Sequence, residues 1–315
     1  MNRAISFAFG VVLSGTSVTV GLANEPPECQ TVRIGSGGWT DNIIQDALAI
    51  NVLHGLGYNP VETELGLNVL IEGLKNNDLD VHFDYWSPSS DSLMKPYIEE
   101  KSIEVIGANL TGTKYTIAVP TYAWEAGLKD FADLAKFKDQ LRGKIYGQSA
   151  GSDSNNIVLS MISKNDFNLG NFELVESSEQ VMLSQVDSAI KHKEYIAFIG
   201  WAPHPMNSKY DMKYLSGGDK YFGPNYGSAT VYTVARKGLS ETCPNLGRFL
   251  KNLTFTVDME NALMTQYLDN GADPILASRK WLKENPSVLD GWLQGVNTVD
   301  GKLGLPAVKA YMMSQ

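Results

Sequence analysis

The feature that most constrains the fold of this chain is a repeated alternation of short apolar runs with longer amphipathic segments. Segment 31–39, TVRIGSGGW, is typical of a strand that ends in a glycine turn, and segment 40–57 has apolar residues at helical spacing. A short helix pattern and the strand-like VHFDYW come next. Because strands that alternate with helices usually run in one direction, this order predicts an α/β unit with a mainly parallel sheet.

A second unit repeats this order after a long strand-like segment, 114–127, leaves the first unit. Segment 213–238 then returns, and the remainder of the chain is helical. We therefore predict an α/β fold with two lobes, each a mainly parallel sheet flanked by helices, joined by a hinge of crossing strands. Such clamshells close around a ligand in periplasmic binding proteins. The expected boundaries are 24–118 and 222–315 for lobe I, which is discontinuous, and 119–221 for lobe II.

The N-terminal segment 1–23 has the pattern of a secretory signal peptide. One arginine precedes a stretch of apolar and small residues that runs to Leu22, and a polar segment with a Pro-Pro pair follows. We expect cleavage after Ala23 and export to the periplasm. The alternative is a buried N-terminal strand or helix.

Two cysteines, Cys29 and Cys243, both lie in the part of the chain that we expect to be exported. In an oxidising compartment an even number of cysteines favours a disulfide. This bond would connect the first strand of the mature chain to a late segment, so both regions should belong to one lobe. Two separate buried thiols are the alternative.

Composition and motifs argue against several function classes. The net charge of −9 is unfavourable for binding nucleic acid or an anionic membrane surface. Four scattered histidines lack metal-ligand spacing, and the chain has neither a GxSxG elbow nor a P-loop nor a GxGxxG turn. We therefore expect a protein that is not an enzyme and that uses no cofactor and no metal. The glycine-rich segment 216–227 is typical of a tight loop, although Asp219 and backbone carbonyls there could instead wrap a cation.

Aromatic residues recur where the expected strands end. Trp39 follows the first strand, Trp86 ends VHFDYW, and Trp201 ends AFIGW, while Tyr115 lies in the long crossing strand. Ligands of α/β sheets bind at the carboxyl ends of the strands, so these rings should converge in the cleft between the lobes. The alternative is that the rings cover the core at the sheet edges, as large aromatic side chains commonly do.

A cage of aromatic faces suits a quaternary ammonium ion. Such an ion has no N–H group to donate, so ring faces can replace its water without leaving hydrogen bonds unmade. Each face contributes about 0.5–2 kcal/mol once water is excluded. Four faces supply a useful share of the roughly 8 kcal/mol that micromolar binding requires. A primary amine would lose more on entering the cage, because its donors would point at rings.

Several long and unusual stretches carry a resemblance to a known family: GWTDN, VESSEQVMLSQV, GWAPHPMN, YLSGGDKYFGPNYGSATV, CPNLGRFLKNLTF and WLKENPSVLDGWL. With the two cysteines, they make the exported part similar, nearly from end to end, to the choline-binding proteins of bacterial ABC importers. These belong to the wider glycine betaine, choline and proline betaine binding family. The resemblance implies a periplasmic two-lobed receptor that delivers a small methylated ammonium compound to a membrane permease.

The resemblance also implies site residues. The family's aromatic box falls on the four aromatic residues named above. Asp41, in GWTDN, matches one member of the family's polar pair near the ligand hydroxyl, although an N-cap is its alternative role. The other member is an asparagine in a GNDGN-type turn. This chain reads GSDSN there and has Ser152 at that position.

Choline ranks ahead of glycine betaine as the expected ligand, because Asp41 favours a cation and would repel a carboxylate. The helix N-terminus after Ser152 could still receive a carboxylate. Trimethylamine N-oxide is a rival, since it is shorter and the changed polar end could suit it. Its oxygen needs a donor or a protonated acid, for which Glu125 is a candidate unless it is a solvated surface charge.

We expect a monomer whose partners are this small ligand and an ABC transporter permease. Two function classes outside transport stay open from the residues alone. One is a secreted hydrolase or lyase with an aromatic-lined pocket, against which the missing catalytic spacing counts. The other is a chemosensory receptor domain, which would act as a separate binding subunit.

Overall fold

A computed structural model describes residues 25–314 of the chain. The expected signal peptide, 1–23, lies outside the described residues and stays a prediction. Within 25–314, no helix combines the length and the apolar character that crossing a bilayer requires.

Lobe I is built on a five-stranded mixed sheet. Its strands are β1 (Thr31–Ser36), β2 (Asn59–Glu64), β3 (Val81–Ser87), β4 (Ile103–Leu110) and β10 (Thr230–Arg236). Their order across the sheet is β2-β1-β3-β10-β4. Strand β1 pairs in parallel with β2 and β3, whereas β10 pairs antiparallel with β3 and β4. The residues of β3 are buried on both faces up to Trp86, which explains why this segment reads as a continuous strand pattern.

The helices of lobe I come from both ends of the described chain. They are α1 (Thr40–Gly55), α2 (Leu67–Lys75), α3 (Asp91–Glu99), α10 (Leu239–Thr242), α11 (Pro244–Asn252), α12 (Val257–Asn270), α13 (Pro274–Glu284), α14 (Val288–Trp292) and α15 (Gly304–Ser314). Helix α1 is buried along most of its length, because α12, α13 and α15 all pack against it. A 3₁₀ turn, Pro27–Cys29, precedes β1.

Lobe II is built on a second five-stranded mixed sheet. Its strands are β5 (Lys114–Pro120), β6 (Lys144–Tyr146), β7 (Glu173–Val175), β8 (Phe198–Ala202) and β9 (Met212–Tyr214). Their order is β7-β6-β8-β5-β9. Its helices are α4 (Thr121–Glu125), α5 (Asp153–Ser163), α6 (Glu179–Lys191), α7 (Met206–Lys209), α8 (Asp219–Phe222) and α9 (Pro224–Gly227), with 3₁₀ turns at Phe131–Phe137 and Asp166–Asn168.

One strand in each sheet runs against the other four, and both of these strands connect the lobes. Strand β5 leaves lobe I and runs antiparallel to its neighbours β8 and β9, and β10 returns from lobe II and runs antiparallel to β3 and β4. The predicted two-lobed α/β clamshell with crossing strands is therefore confirmed. Strand β5 begins before residue 118, so it spans the expected boundary between 24–118 and 119–221. The boundaries themselves stay a prediction.

The core continues from one lobe into the other through buried apolar side chains. The predicted disulfide is present between Cys29 and Cys243, and both cysteines are buried. It connects the segment before β1 to the start of α11. This bond therefore fixes the returning part of the chain to the first strand of lobe I.

Candidate ligand-binding site

A small cavity of about 20 Å³ lies between the two lobes. Its lining residues are Trp39, Asp41, Leu67, Asp84, Trp86 and Ser90 from lobe I, and Tyr115, Gln148, Asp153 and Trp201 from lobe II. The four aromatic residues that the sequence singled out, and Asp41, all lie in this one cavity.

Three tryptophans reach the cavity from the carboxyl ends of strands. Trp39 follows β1 and is the residue immediately before α1, Trp86 is the next-to-last residue of β3, and Trp201 holds the same position in β8. Trp86 and Trp201 are buried, and Trp39 is half-buried. A Cβ atom at Gly37 would lie 2.3 Å from Cζ3 of Trp39, so the ring folds back over a turn that requires glycine.

Tyr115 brings the fourth ring from the crossing strand β5. It is paired with Trp201 of β8 in the sheet register, and its ring centroid lies 5.5 Å from that of Trp86, at an interplanar angle of 50°. Trp86 belongs to lobe I and Tyr115 to the sheet of lobe II. The aromatic cluster, defined as Trp39, Trp86, Tyr115 and Trp201, is therefore assembled across the lobes.

Hydrogen bonds fix two of these rings. The Trp86 indole N–H donates to Oδ1 of Asp84 at 2.5 Å. The Tyr115 hydroxyl lies 2.7 Å from Oδ1 of Asp153 and 2.8 Å from Oε1 of Gln148, and its single proton can be donated to either oxygen. Ring orientation in the cavity thus depends on polar side chains that also line it.

The glycine-rich segment 216–227 supports Tyr115 from behind. Gly227 has a φ of +71°, and a Cβ atom there would lie 1.8 Å from the Tyr115 carbonyl oxygen. Glycine is therefore required at this position both by its backbone conformation and by the close approach of β5. Asp219 is exposed and, among the described residues, belongs to no cluster of three potential metal ligands. The packing accounts for the glycine at the end of this loop.

Three carboxyl groups line the cavity: Asp41, Asp84 and Asp153. Burial raises the pKa of Asp41 well above its ordinary value, and the neighbouring carboxylates of Asp84 and Glu179 raise it further. Burial also raises the pKa of Asp84, although the Trp86 N–H works against this shift. Among the described residues that line the cavity, none is a lysine or an arginine. The cavity is therefore strongly acidic and favours a positively charged occupant.

Two polar atoms of lining residues have no hydrogen-bond partner within the described part of the chain. They are Oδ1 of Asp41 and the indole nitrogen Nε1 of Trp201, and both residues are 2% exposed. Buried polar atoms are almost always paired, so each unpartnered atom calls for a ligand or an ordered water. One is an acceptor when ionised and the other is a donor.

The other two predicted polar residues do not reach the cavity. Ser152 is buried at the N-cap of α5, where its hydroxyl accepts from the Asn155 N–H at 3.3 Å. The next residue, Asp153, lines the cavity instead. Glu125 is exposed at the end of α4, because this short helix turns away after β5. The expectation that Ser152 and Glu125 contact a ligand therefore does not fit the geometry.

Hydrogen bonds across the cleft hold the lobes together. The Ser90 hydroxyl donates to Oδ2 of Asp153 at 2.6 Å, and the Thr40 backbone N–H donates to Oε2 of Glu179 at 2.9 Å. Ser90 and Thr40 belong to lobe I, whereas both carboxylates begin helices of lobe II. The structure is therefore the closed form of the clamshell.

Sequence reasoning missed Asp84, Ser90, Gln148 and Asp153 as lining residues. For Asp84 a signal exists, because residues two apart in a strand share a face and Trp86 is two residues further on. Gln148 follows β6, so it also lies at a strand end, but without an aromatic ring to single it out.

Comparison with known proteins is consistent with this geometry. Residues 30–284 match the family described as the substrate binding domain of ABC-type glycine betaine transport systems. A glycine betaine/carnitine transport binding protein of Listeria monocytogenes is 32% identical over 163 residues, which cover 52% of this chain and 53% of that protein. The alignment therefore spans about half of the Listeria protein.

Two solved structures match nearly the whole chain. An ABC-transporter choline binding protein in complex with choline is 47% identical, with a TM-score of 0.90, and the match covers 91% of this chain and 100% of that one. An ABC-transporter choline binding protein in an unliganded semi-closed conformation, also 47% identical, gives a TM-score of 0.84, with 90% and 99% covered. The higher score belongs to the structure that contains choline. The family match covers well over half of the sequence, so this chain belongs to the family of substrate-binding domains of ABC-type glycine betaine transport systems.

Proposed function

We propose that this protein is the choline-binding receptor of an ABC importer and that the aromatic cluster is its ligand box. The observation that carries the proposal is the combination of four aromatic rings with three carboxyl groups around one cavity, with no basic side chain among the lining residues that the structure describes. This combination suits a small cation that is covered with methyl groups.

The rings account for the trimethylammonium end of choline. Methyl-covered nitrogen needs no acceptor, so Trp39, Trp86, Tyr115 and Trp201 can surround it with their faces at no cost in unmade hydrogen bonds. Each desolvated face contributes on the order of 0.5–2 kcal/mol. Because two lobes supply the rings, the complete box exists only when the cleft is closed.

The carboxyl groups account for the charge of the ligand. Asp41 and Asp84 are buried without a basic partner in the cavity, and their raised pKa values reflect that cost. A quaternary ammonium ion supplies the missing positive charge. Glycine betaine would bring a carboxylate of its own into this acidic site, so it should bind more weakly than choline.

The unpartnered atoms account for the polar end of choline. A hydroxyl group has one proton to donate and two lone pairs that accept. The choline hydroxyl can donate to Oδ1 of Asp41, and it can accept from a donor such as the Trp201 indole N–H. This use of Asp41 matches its role in the related family, and the choline complex at 47% identity supports the same ligand.

Trimethylamine N-oxide is a second candidate, and two observations favour it. Burial raises the pKa of Asp41, and a protonated Asp41 could donate to the N-oxide oxygen. The second observation is that Ser152 stands where the related family has an asparagine and that its hydroxyl caps α5, which also favours a shorter ligand.

We also propose how the receptor works in the cell. Export by segment 1–23 would place it in the periplasm, where a monomer would close lobe I on lobe II around the ligand. The proposed bounds, 24–118 and 222–315 for lobe I and 119–221 for lobe II, fall inside β5 and α8, so Tyr115 lies in the sheet of lobe II although it precedes residue 119. It would then deliver the ligand to a membrane permease. Family membership supports this role, because substrate-binding domains of ABC transport systems act with a permease.

Titration calorimetry with choline, trimethylamine N-oxide, glycine betaine, carnitine and acetylcholine tests the ligand. We expect choline to bind most tightly. Asp41→Asn should weaken choline binding more than binding of trimethylamine N-oxide, because it removes the charge and replaces one acceptor oxygen by an NH₂ donor, which the N-oxide oxygen can use but the choline hydroxyl proton cannot. Tighter binding of trimethylamine N-oxide than of choline would assign the second candidate, and equal losses in Asp41→Asn would argue against the hydroxyl contact.

A further inference from the structure

We propose that Glu179 is a positioning residue that aligns the two halves of the aromatic box, although it does not line the cavity. This inference rests on the proposed function. Glu179 is the first residue of α6 in lobe II, and it is 3% exposed. Its carboxylate accepts hydrogen bonds from Thr40 of lobe I and from His204 of lobe II. We call this set of three residues the Glu179 bridge.

The lobe I end of the bridge is the beginning of α1. Trp39 is the N-cap of this helix and provides no side-chain hydrogen bond to the free backbone N–H groups of the first turn. Glu179 supplies that bond from the other lobe, since its Oε2 accepts the Thr40 N–H at 2.9 Å. Its Oε1 accepts the Thr40 hydroxyl. Two binding residues, Trp39 and Asp41, flank Thr40 directly, so the bridge fixes the backbone from which both side chains project.

The lobe II end of the bridge is His204. The Met206 N–H donates to Nδ1 of this histidine at 2.9 Å, so the ring proton resides on Nε2, which donates to Oε1 of Glu179 at 3.0 Å. The imidazole packs edge-on against Trp201, with 4.7 Å between the ring centroids. Glu179 therefore orients the residue that supports the indole of lobe II.

The Glu179 carboxylate thus contacts Thr40, which lies between Trp39 and Asp41 in lobe I, and His204, which packs against Trp201 in lobe II. Opening the cleft would remove the cap from α1 and leave Glu179 with His204 alone. The bridge therefore stabilises the closed form and should act on ligand release, because a ligand leaves when the lobes separate. It should have little effect on ligand entry, which occurs while the lobes are apart.

Stopped-flow tryptophan fluorescence with choline tests this role in Glu179→Gln. The amide has one acceptor oxygen and a donor NH₂ group, so it places a donor against Thr40 or against His204. We expect choline to dissociate at least tenfold faster, with the association rate within threefold of the wild type. Asp187→Asn is the matched control, because Asp187 is an exposed carboxylate on the same helix and its loss changes the charge equally. Equal dissociation rates in Glu179→Gln and Asp187→Asn would overturn the proposal.

Thr40→Val supplies a second test that keeps the side-chain volume. We expect it to speed choline dissociation, and we expect the double variant with Glu179→Gln to be no faster than Glu179→Gln alone, since both changes break one contact. Melting of the ligand-free variants should match the wild type, which separates positioning from loss of fold. Fully multiplicative rates in the double variant would show that Glu179 does not act through Thr40.

The proposed ligand can fail without the bridge failing. If choline does not bind the wild type but trimethylamine N-oxide or glycine betaine does, the same rate comparison is made with the ligand that binds. That result would remove choline as the ligand, while faster release in Glu179→Gln would still support the bridge.

Discussion

The carboxyl groups of the two lobes face the cleft in different states of hydrogen bonding. In lobe II, Asp153 accepts from Ser90, Tyr115 and its neighbour's backbone N–H, and Glu179 accepts from Thr40 and His204. In lobe I, Asp41 keeps an unpartnered oxygen within the described part of the chain. Asp46 and Glu260, which lie near Asp41, also keep one unpartnered oxygen each within the described residues. Burial raises the pKa of both groups well above their ordinary values.

This difference separates two tasks that a closing receptor must perform. The satisfied acids of lobe II join the lobes, because their oxygens are used by donors from across the cleft. Burial raises the pKa of the unsatisfied acids of lobe I, and a bound cation favours their ionised forms. Lobe I should therefore govern which ligand binds, and lobe II should govern how long the ligand stays.

The largest expected effect comes from comparing Trp86→Ala in lobe I with Trp201→Ala in lobe II. Each removes one ring face and one indole N–H. The Trp86 N–H donates to the carboxyl group of Asp84, whereas the Trp201 N–H is the proposed donor to the neutral choline hydroxyl, and hydrogen bonds to charged groups contribute more. We expect Trp201→Ala to cost at least about 1 kcal/mol of choline binding and Trp86→Ala about 2–3 kcal/mol, or roughly 30- to 150-fold in Kd. Calorimetry measures both. A larger loss in Trp201→Ala would contradict the assignment of charge recognition to lobe I.

A smaller effect is expected from pH. Burial raises the pKa of Asp41 and of Asp84 in the ligand-free protein. Both groups therefore keep their protons at pH values at which ordinary carboxyl groups are already ionised. A bound cation favours the ionised forms and therefore lowers both pKa values. Choline affinity should rise with pH between the lower bound-state and the higher free-state pKa values, by up to about tenfold per pH unit for one group.

Calorimetry in two buffers of different ionisation enthalpy checks this by counting protons released on binding. Folding has the opposite sign: a group with a raised pKa in the folded state contributes stability that is present below its unfolded pKa and is lost as pH rises through its folded pKa. The rise in melting temperature caused by choline should therefore increase with pH. A choline affinity that is independent of pH, with no proton release, would show that Asp41 and Asp84 do not respond to the ligand charge.

The fold and the rings of the site could be predicted from the sequence because both rest on local patterns. Strand and helix periodicity gave the two lobes, and strand ends located Trp39, Trp86 and Trp201. The remaining features depend on contacts between distant segments. Glu179 reads as an ordinary first-turn acid beside its N-cap Ser178, and its role becomes visible when Thr40 is placed opposite.

Three further residues show where reasoning from local sequence patterns ends. Ser152 and Asp153 are adjacent, and the exact start of α5 decides which of them caps the helix and which reaches the cavity. Gly227 has no local signal for a site, because its role is to let the chain approach the Tyr115 carbonyl from a segment far along the sequence.

The smallest expected effect belongs to Glu125→Gln, and it tests whether charge acts locally. Glu125 has the same charge as Asp41, but it is exposed at the end of α4, where solvent and salt screen it. We expect the affinities of the Glu125→Gln variant for choline and for trimethylamine N-oxide to stay within about twofold of the wild-type values at physiological ionic strength. Asp41→Asn is the matched comparison, since it removes one carboxylate charge from inside the cavity. A selective loss of trimethylamine N-oxide binding in Glu125→Gln would mean that α4 approaches the ligand in solution, and the polar end of the site would then include lobe II.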